Sequence, residues 1–181
     1  MITRHLPQKA KLICGFIYRT EEFYEKTIRI LRKLFGPLDY ETAAFLFKFT
    51  KYYNEEMGGP LYRRFVSFEN LVASESFVKI KLRCINIERN LSFKSRRKIN
   101  IDPGYIDLAK LVLFTTKDFS HRIHMGKGIY AEVTLRYIKG GFKDLDWTYP
   151  DYRTDEYKQF FIDIRNIYKN QIYRKKLLTH S

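Results

Sequence analysis

Between Asn100 and Thr134 the chain gathers the side chains best able to do chemistry: Asp102, Tyr105, Lys110, Lys117, Asp118, His121, Arg122, Lys127 and Glu132, set among apolar stretches. Both signs of charge within one short span suit a ligand that carries an anionic group together with hydroxyls or a ring edge. Lys117, Arg122 and Lys127 supply positive charge for a phosphate, while Asp102 and Glu132 can hold a hydroxyl, a base edge or a metal-bound water. Gly126-Lys127-Gly128 adds backbone that an anion can approach closely. The expected function is binding of a small phosphate-bearing ligand, a nucleotide among the candidates, at Asp102, Tyr105, Lys110, Lys117, His121, Arg122, Lys127 and Glu132.

An enzyme is the alternative these residues allow. Histidine is the side chain best suited to proton transfer near neutral pH, and with Asp118 or Glu132 to orient it, His121 is the candidate acid or base of a hydrolase or phosphotransfer-type reaction. Plainer roles stand beside these. In Asn100-Ile101-Asp102-Pro103-Gly104-Tyr105 the Pro-Gly pair predicts a tight turn, which would make Asp102 a turn residue. From Tyr130 to Arg136, Ala131, Val133 and Leu135 alternate with Tyr130, Glu132, Thr134 and Arg136, which predicts a strand whose Glu132 face is solvated. His121 and His124 sit three apart in a loop with no second ligand pair, so no metal site is expected. The chain lacks Gly-x-x-x-x-Gly-Lys-Ser/Thr and Gly-x-Gly-x-x-Gly, so no cofactor is assigned.

A formal charge of +14 invites a polyanion partner. The excess is concentrated: residues 76–100 hold eight Lys or Arg against one acid, ending in Lys94-Ser95-Arg96-Arg97-Lys98. An RNA-associated module using residues 94–98 and the Arg174-Lys175-Lys176 end is therefore the second functional expectation. A bias of composition toward Lys, Ile, Tyr and Phe explains the same excess without any partner.

These groups need a scaffold, and 181 residues with 45% hydrophobic content are enough for one domain with a continuous, ring-rich core, taken as residues 1–181. No apolar run is long enough to cross a bilayer and no signal peptide is visible, which predicts a cytoplasmic protein with no membrane partner. Cys14 and Cys84 in apolar settings predict buried, reduced thiols. A strand is expected at 11–18, then a helix capped by Thr20 that buries Phe23, Thr27, Ile30, Leu31 and Leu34 and stops at Gly36-Pro37. Strands follow at 43–49 and 61–68 around a loop at 52–60. Residues 77–91 carry both a strand alternation and a helical spacing (Phe77, Ile80, Cys84, Ile87, Leu91), and the longer helical pattern predicts a helix. Further strands are expected at 98–102, 111–116 and 129–138, then a Gly140-Gly141 turn, a strand at 142–145, and a final amphipathic helix begun by Thr154. The fold class is α+β: a ferredoxin-like βαββαβ opening, with two helices on one face of the sheet, and a β-rich C-terminal extension.

Taken together, Gly58-Gly59-Pro60-Leu61-Tyr62-Arg63-Arg64-Phe65, the Asn100 to Tyr105 segment, Lys110-Leu111-Val112-Leu113 with Thr116-Lys117-Asp118, His121-Arg122-Ile123, residues 126–134 and Trp147-Thr148-Tyr149-Pro150-Asp151-Tyr152 form a distinctive set. On these the chain resembles the prokaryotic family catalogued as domain of unknown function 4416, from Lys11 to about Gln171. The resemblance implies no established activity and marks the same polar segment.

Overall fold

The computed structural model describes residues 9–49, 52–94 and 96–178. Among the described residues nine antiparallel strands form one sheet: β1 (Ala10–Tyr18), β2 (Leu38–Glu41), β3 (Phe45–Leu46), β4 (Tyr62–Val72), β5 (Ile99–Ile106), β6 (Lys110–Thr115), β7 (Ile123–Gly126), β8 (Ile129–Ile138) and β9 (Gly141–Asp144). They lie in the order β2-β4-β1-β5-β6-β8-β7, with β3 also on β4 and β9 also on β8. The helices are α1 (Glu21–Phe35), the short α2 (Tyr52–Met57), α3 (Phe77–Asn90) and α4 (Asp155–Leu178). The sheet is larger than the sequence suggested. β2 and β7 are additions, β3 shrinks the strand expected at 43–49 to two residues, and the loop expected at 52–60 opens with α2.

Side-chain alternation gives the sheet two apolar faces. Leu12, Cys14, Phe16 and Tyr18 of β1 meet α1 and α3 on one side, and Ile13 joins Phe65, Leu111 and Leu135 beneath Tyr157, Phe161 and Ile164 of α4 on the other. The helix at 77–90 forms as its spacing predicts, burying Phe77, Ile80, Cys84 and Ile87. In α1 the buried face is Tyr24, Thr27, Ile28, Leu31 and Phe35, while Ile30 and Leu34 are exposed. Rings decide that rotation: Tyr24 stacks on Tyr18 at 5.1 Å, Phe35 meets Phe68 edge-on at 5.6 Å, and the Tyr24 hydroxyl reaches Glu41 at 2.7 Å. Thr20 precedes α1 without a side-chain capping bond, whereas the Thr154 hydroxyl does accept the Tyr157 N–H at the start of α4. Cys14 and Cys84 are free and buried, and no described helix is long and apolar enough to cross a membrane.

Three glycine-bearing segments depart from their sequence reading. Pro103 and Gly104 make no turn but continue β5, opposite Cys14 and Ile13 of β1. The glycine is required by proximity: a Cβ on Gly104 would lie 2.3 Å from the Val112 carbonyl oxygen of β6. Gly126-Lys127-Gly128 closes the β7–β8 hairpin, with φ of 56° at Lys127 and 71° at Gly128, the paired positive values such a tight turn needs. Likewise Lys139 and Gly140, at 48° and 87°, form the β8–β9 turn, and Gly141 is already strand.

Candidate functional site

The α4 helix covers only part of its face of the sheet. On the remainder, Ile17 stands opposite both Arg63 and Asn100, Gly15 opposite both Phe65 and Asp102, and Leu113 opposite Glu132, so these side chains share one surface. β5 and β6 pair only from Gly104 to Ile106 and then part. In the gap two buried α3 side chains replace the missing strand: Lys81 donates to the Ile101 carbonyl at 3.0 Å, and the Ile101 N–H donates to the Glu88 carboxylate. Phe47, Phe49 and Tyr53 on one side and the 3-10 turn Pro150–Arg153 on the other wall the space, leaving a cavity of about 460 Å³. That is within the usual range for small-molecule sites.

Arg63 organises the floor. Its guanidinium is buried, spans Gly15, and lies 3.4 Å from Asp102, 3.6 Å from Asp151 and 2.8 Å from the Tyr152 hydroxyl, with its plane 4.6 Å from the Phe65 ring. The span depends on Gly15, where a Cβ would lie 2.9 Å from the Phe65 ring and 3.2 Å from the guanidinium. Burial opposes the Arg63 charge, but Tyr152, Asp151 and Asp102 together outweigh it and shift the pKa upward. Burial pushes the Asp151 carboxyl above its ordinary range against the pull of Arg63, with Asp102 adding to the rise. Arg97 is held by Glu56 at 2.6 to 2.9 Å and donates to the Asn100 side-chain oxygen at 3.0 Å. That bond fixes the amide orientation and turns the Asn100 NH₂ the other way. Two residues that line the cavity therefore each keep a buried donor with no acceptor among the described residues: Arg63 Nε and Asn100 Nδ2.

The charged segment expected to form the site is divided. Asp102, Lys117 and Glu132 line the cavity. His121 and Arg122 hold Glu132 from outside it, His121 Nε2 at 3.0 Å and Arg122 Nε at 2.7 Å from the same carboxylate oxygen. Arg122 also binds the Lys117 carbonyl at 2.9 Å and the Tyr149 hydroxyl, and His121 stacks on Trp147 at 5.2 Å. His121 thus braces Glu132 and does not face the cavity, and Asp118 is exposed and out of its lining. Tyr105 lies on the opposite face against Phe77 and Phe114, Lys110 pairs with Asp107 at 2.9 Å, and Lys127 is in the exposed hairpin turn. Glu132 is buried rather than solvated. Thr134 is the extra residue of a β-bulge between β8 and β6, so Leu135 shares the α4 face with Glu132, while Ala131 and Val133 face α1 and α3. Among the described residues no group of His, Cys, Asp or Glu is arranged to hold a metal.

Sequence reading did not place Arg63, Lys81, Glu88, Arg97, Asn100 and Asp151 at this site; they come from β4, α3, β5, the 3-10 turn and the loop before β5, and converge only in the fold. The one usable signal was a single acid in a basic stretch: Glu88 is the lone acid of residues 76–100. Burial raises its carboxyl above the ordinary range, partly offset by Lys81. An acid with a raised folded pKa contributes its stability in full below the unfolded value and loses it as pH climbs through the folded one. Glu88→Gln keeps an acceptor for Ile101 and removes that titration. Its stability is expected to fall less between about pH 4 and pH 8 than that of the natural chain. Urea midpoints across this range check it, and equal slopes would rule the effect out.

No curated protein and no solved structure matches the chain. A family model described as Domain of unknown function (DUF4416) matches residues 8–168, and with most of its length covered the chain belongs to that family.

Proposed function

We propose that the cavity binds a small phosphate-bearing ligand, a nucleotide being within the class. The observation that carries this is the pair of buried N–H donors, Arg63 Nε and Asn100 Nδ2, left without an acceptor among the described residues, beside a space large enough for an organic molecule. Leaving such groups unpaired costs roughly 1–3 kcal/mol each, which an oxyanion with several lone pairs offsets. Lys117 lies in the same lining and adds charge, Asp102 suits a sugar-type hydroxyl, and the half-exposed rings of Phe49 and Tyr149 suit a flat group at the rim. Of the cations assigned to the anion from sequence, Lys117 keeps that role, and Arg63 takes the place of Arg122 and Lys127. We also read β2-β4-β1-β5 with α1 and α3 on one face as a ferredoxin-like half, a reading that the strand order and the placement of the two helices support.

The test is native mass spectrometry of protein purified from its own host, followed by thermal shifts with inorganic phosphate, phosphorylated sugars and nucleoside monophosphates. A true ligand at about 100 times its Kd adds about 2.7 kcal/mol, or roughly 5 to 10 °C for a chain of this size. Asn100→Ala is expected to weaken binding about tenfold or more while the fold persists. A protein that carries no small molecule and gains no stability from any member of the panel at millimolar concentration would end the proposal.

A further inference from the structure

We propose a second site, independent of the cavity: the outer stripe of α3 and the short hairpin after it bind single-stranded RNA. Residues 76–100 hold eight cations and one acid, and the fold sorts them. Lys81 and Glu88 turn inward to the Ile101 backbone, and Arg97 is taken up by Glu56. Lys79, Arg83 and Arg89 remain exposed on the helix, followed by exposed Lys94 and Arg96, so the stretch's single acid is absent from the surface its cations share. Asn86 and Asn90 are exposed on the same stripe, at the three- and four-residue steps that continue from Lys79 and Arg83. At 1.5 Å per residue, the cations from Lys79 to Arg89 extend over roughly 15 Å, a run of several backbone phosphates.

The hairpin supplies what a plain polyanion site lacks. Phe93 and Arg96 pair reciprocally at 3.0 and 3.1 Å, presenting a Phe93 ring that is 63% exposed with the Lys94 ammonium 5.5 Å from its centre. A bare ring beside cations is a stacking platform for an unpaired base, and the two amides can bond base edges. A membrane-seeking helix would instead carry large apolar residues on the outer face, whereas here Val78, Leu82 and Ile85 pack toward the core. Of the residues expected to contact RNA from sequence, Ser95 and the side chains of Lys175 and Lys176 lie outside the described residues.

The test is fluorescence anisotropy of the full chain with a twelve-nucleotide oligouridine between about 50 and 250 mM salt. Lys79→Gln/Arg83→Gln/Arg89→Gln is expected to reduce the salt slope by about two. Phe93→Ala is expected to weaken binding about tenfold. Arg136→Gln/Lys139→Gln/Lys143→Gln removes the same charge from the exposed β8–β9 hairpin and is expected to leave affinity within about twofold, each variant being checked for native circular dichroism. Equal losses from both triple variants would overturn the proposal, because the net charge would then act at long range. So would absent RNA binding at low salt, capture of anionic vesicles through the stripe without RNA binding, or heparin competing with no effect of Phe93.

Discussion

Gly104→Ala is expected to remove about 4 kcal/mol or more of stability, a large part of what a domain of this size has. The added Cβ would sit 2.3 Å from the Val112 carbonyl oxygen and 2.8 Å from the Leu113 side chain. The side chain can move, but the carbonyl belongs to β6 where it pairs with β5, and these strands are joined over only Gly104, Tyr105 and Ile106. Relief of the clash must therefore part the sheet at a join only three residue pairs long. Leu113→Ala added to Gly104→Ala is expected to restore little. Gly128→Ala, with open space around it and a φ of 71°, is expected to cost only about 1 kcal/mol. Urea denaturation followed by circular dichroism separates the three, and a Gly104→Ala protein as stable as the Gly128→Ala one would refute the backbone-contact account.

Arg63→Met is expected to cost about 3–5 kcal/mol at neutral pH, because buried Asp151 and half-buried Asp102 lose the buried cation between them. The sign of its pH dependence follows from Asp151, whose folded pKa is already raised and rises further without Arg63. Stability from such an acid is whole below the unfolded aspartate pKa and declines as pH rises through the folded value. The deficit of Arg63→Met relative to the natural chain is thus expected to be smaller near pH 5 than near pH 8. Asp102→Asn and Asp151→Asn added to Arg63→Met are expected to recover much of the loss. A deficit that is the same at both pH values, or that persists in the triple variant, would show that lost packing against Phe65 and Tyr152 dominates.

Local patterns carried the elements whose partners lie next to them in sequence. The 3.6-residue spacing of Phe77, Ile80, Cys84 and Ile87 outweighed the competing alternation because all four meet one sheet face. What failed were residues whose roles are set at a distance. Pro103-Gly104 has the chemistry of a turn, yet Gly104 is needed for the approach of a neighbouring strand. Glu132 has the alternation of a solvated face, yet the bulge at Thr134 shifts the pattern and buries it. Asp102 and Glu132, picked out by the mixture of charge signs between Asn100 and Thr134, line the cavity, whereas Arg63 looked like one of many cations until register set it between Asp102 and Asp151. His121, linked from sequence to Asp118 or Glu132, meets Glu132 on its outer side, and Arg122, assigned from sequence to the anion, meets the same carboxylate there.

The central position of β1 has a consequence for the chain while it is still being made. It leaves the ribosome before both of its neighbours: β4 begins more than forty residues later and β5 closes nearly ninety residues later. At ordinary translation speeds the strand waits roughly 5 to 20 seconds for its second edge. All nine of its residues end buried, so this nascent segment is one that neighbouring chains on a polysome could pair with. Lys11, its single charge, is costly to bury and is matched in the finished protein by Asp39, the Phe68 carbonyl and Gln171. During those seconds the same ammonium is a gatekeeper, repelling its own kind until the chain has supplied its partners.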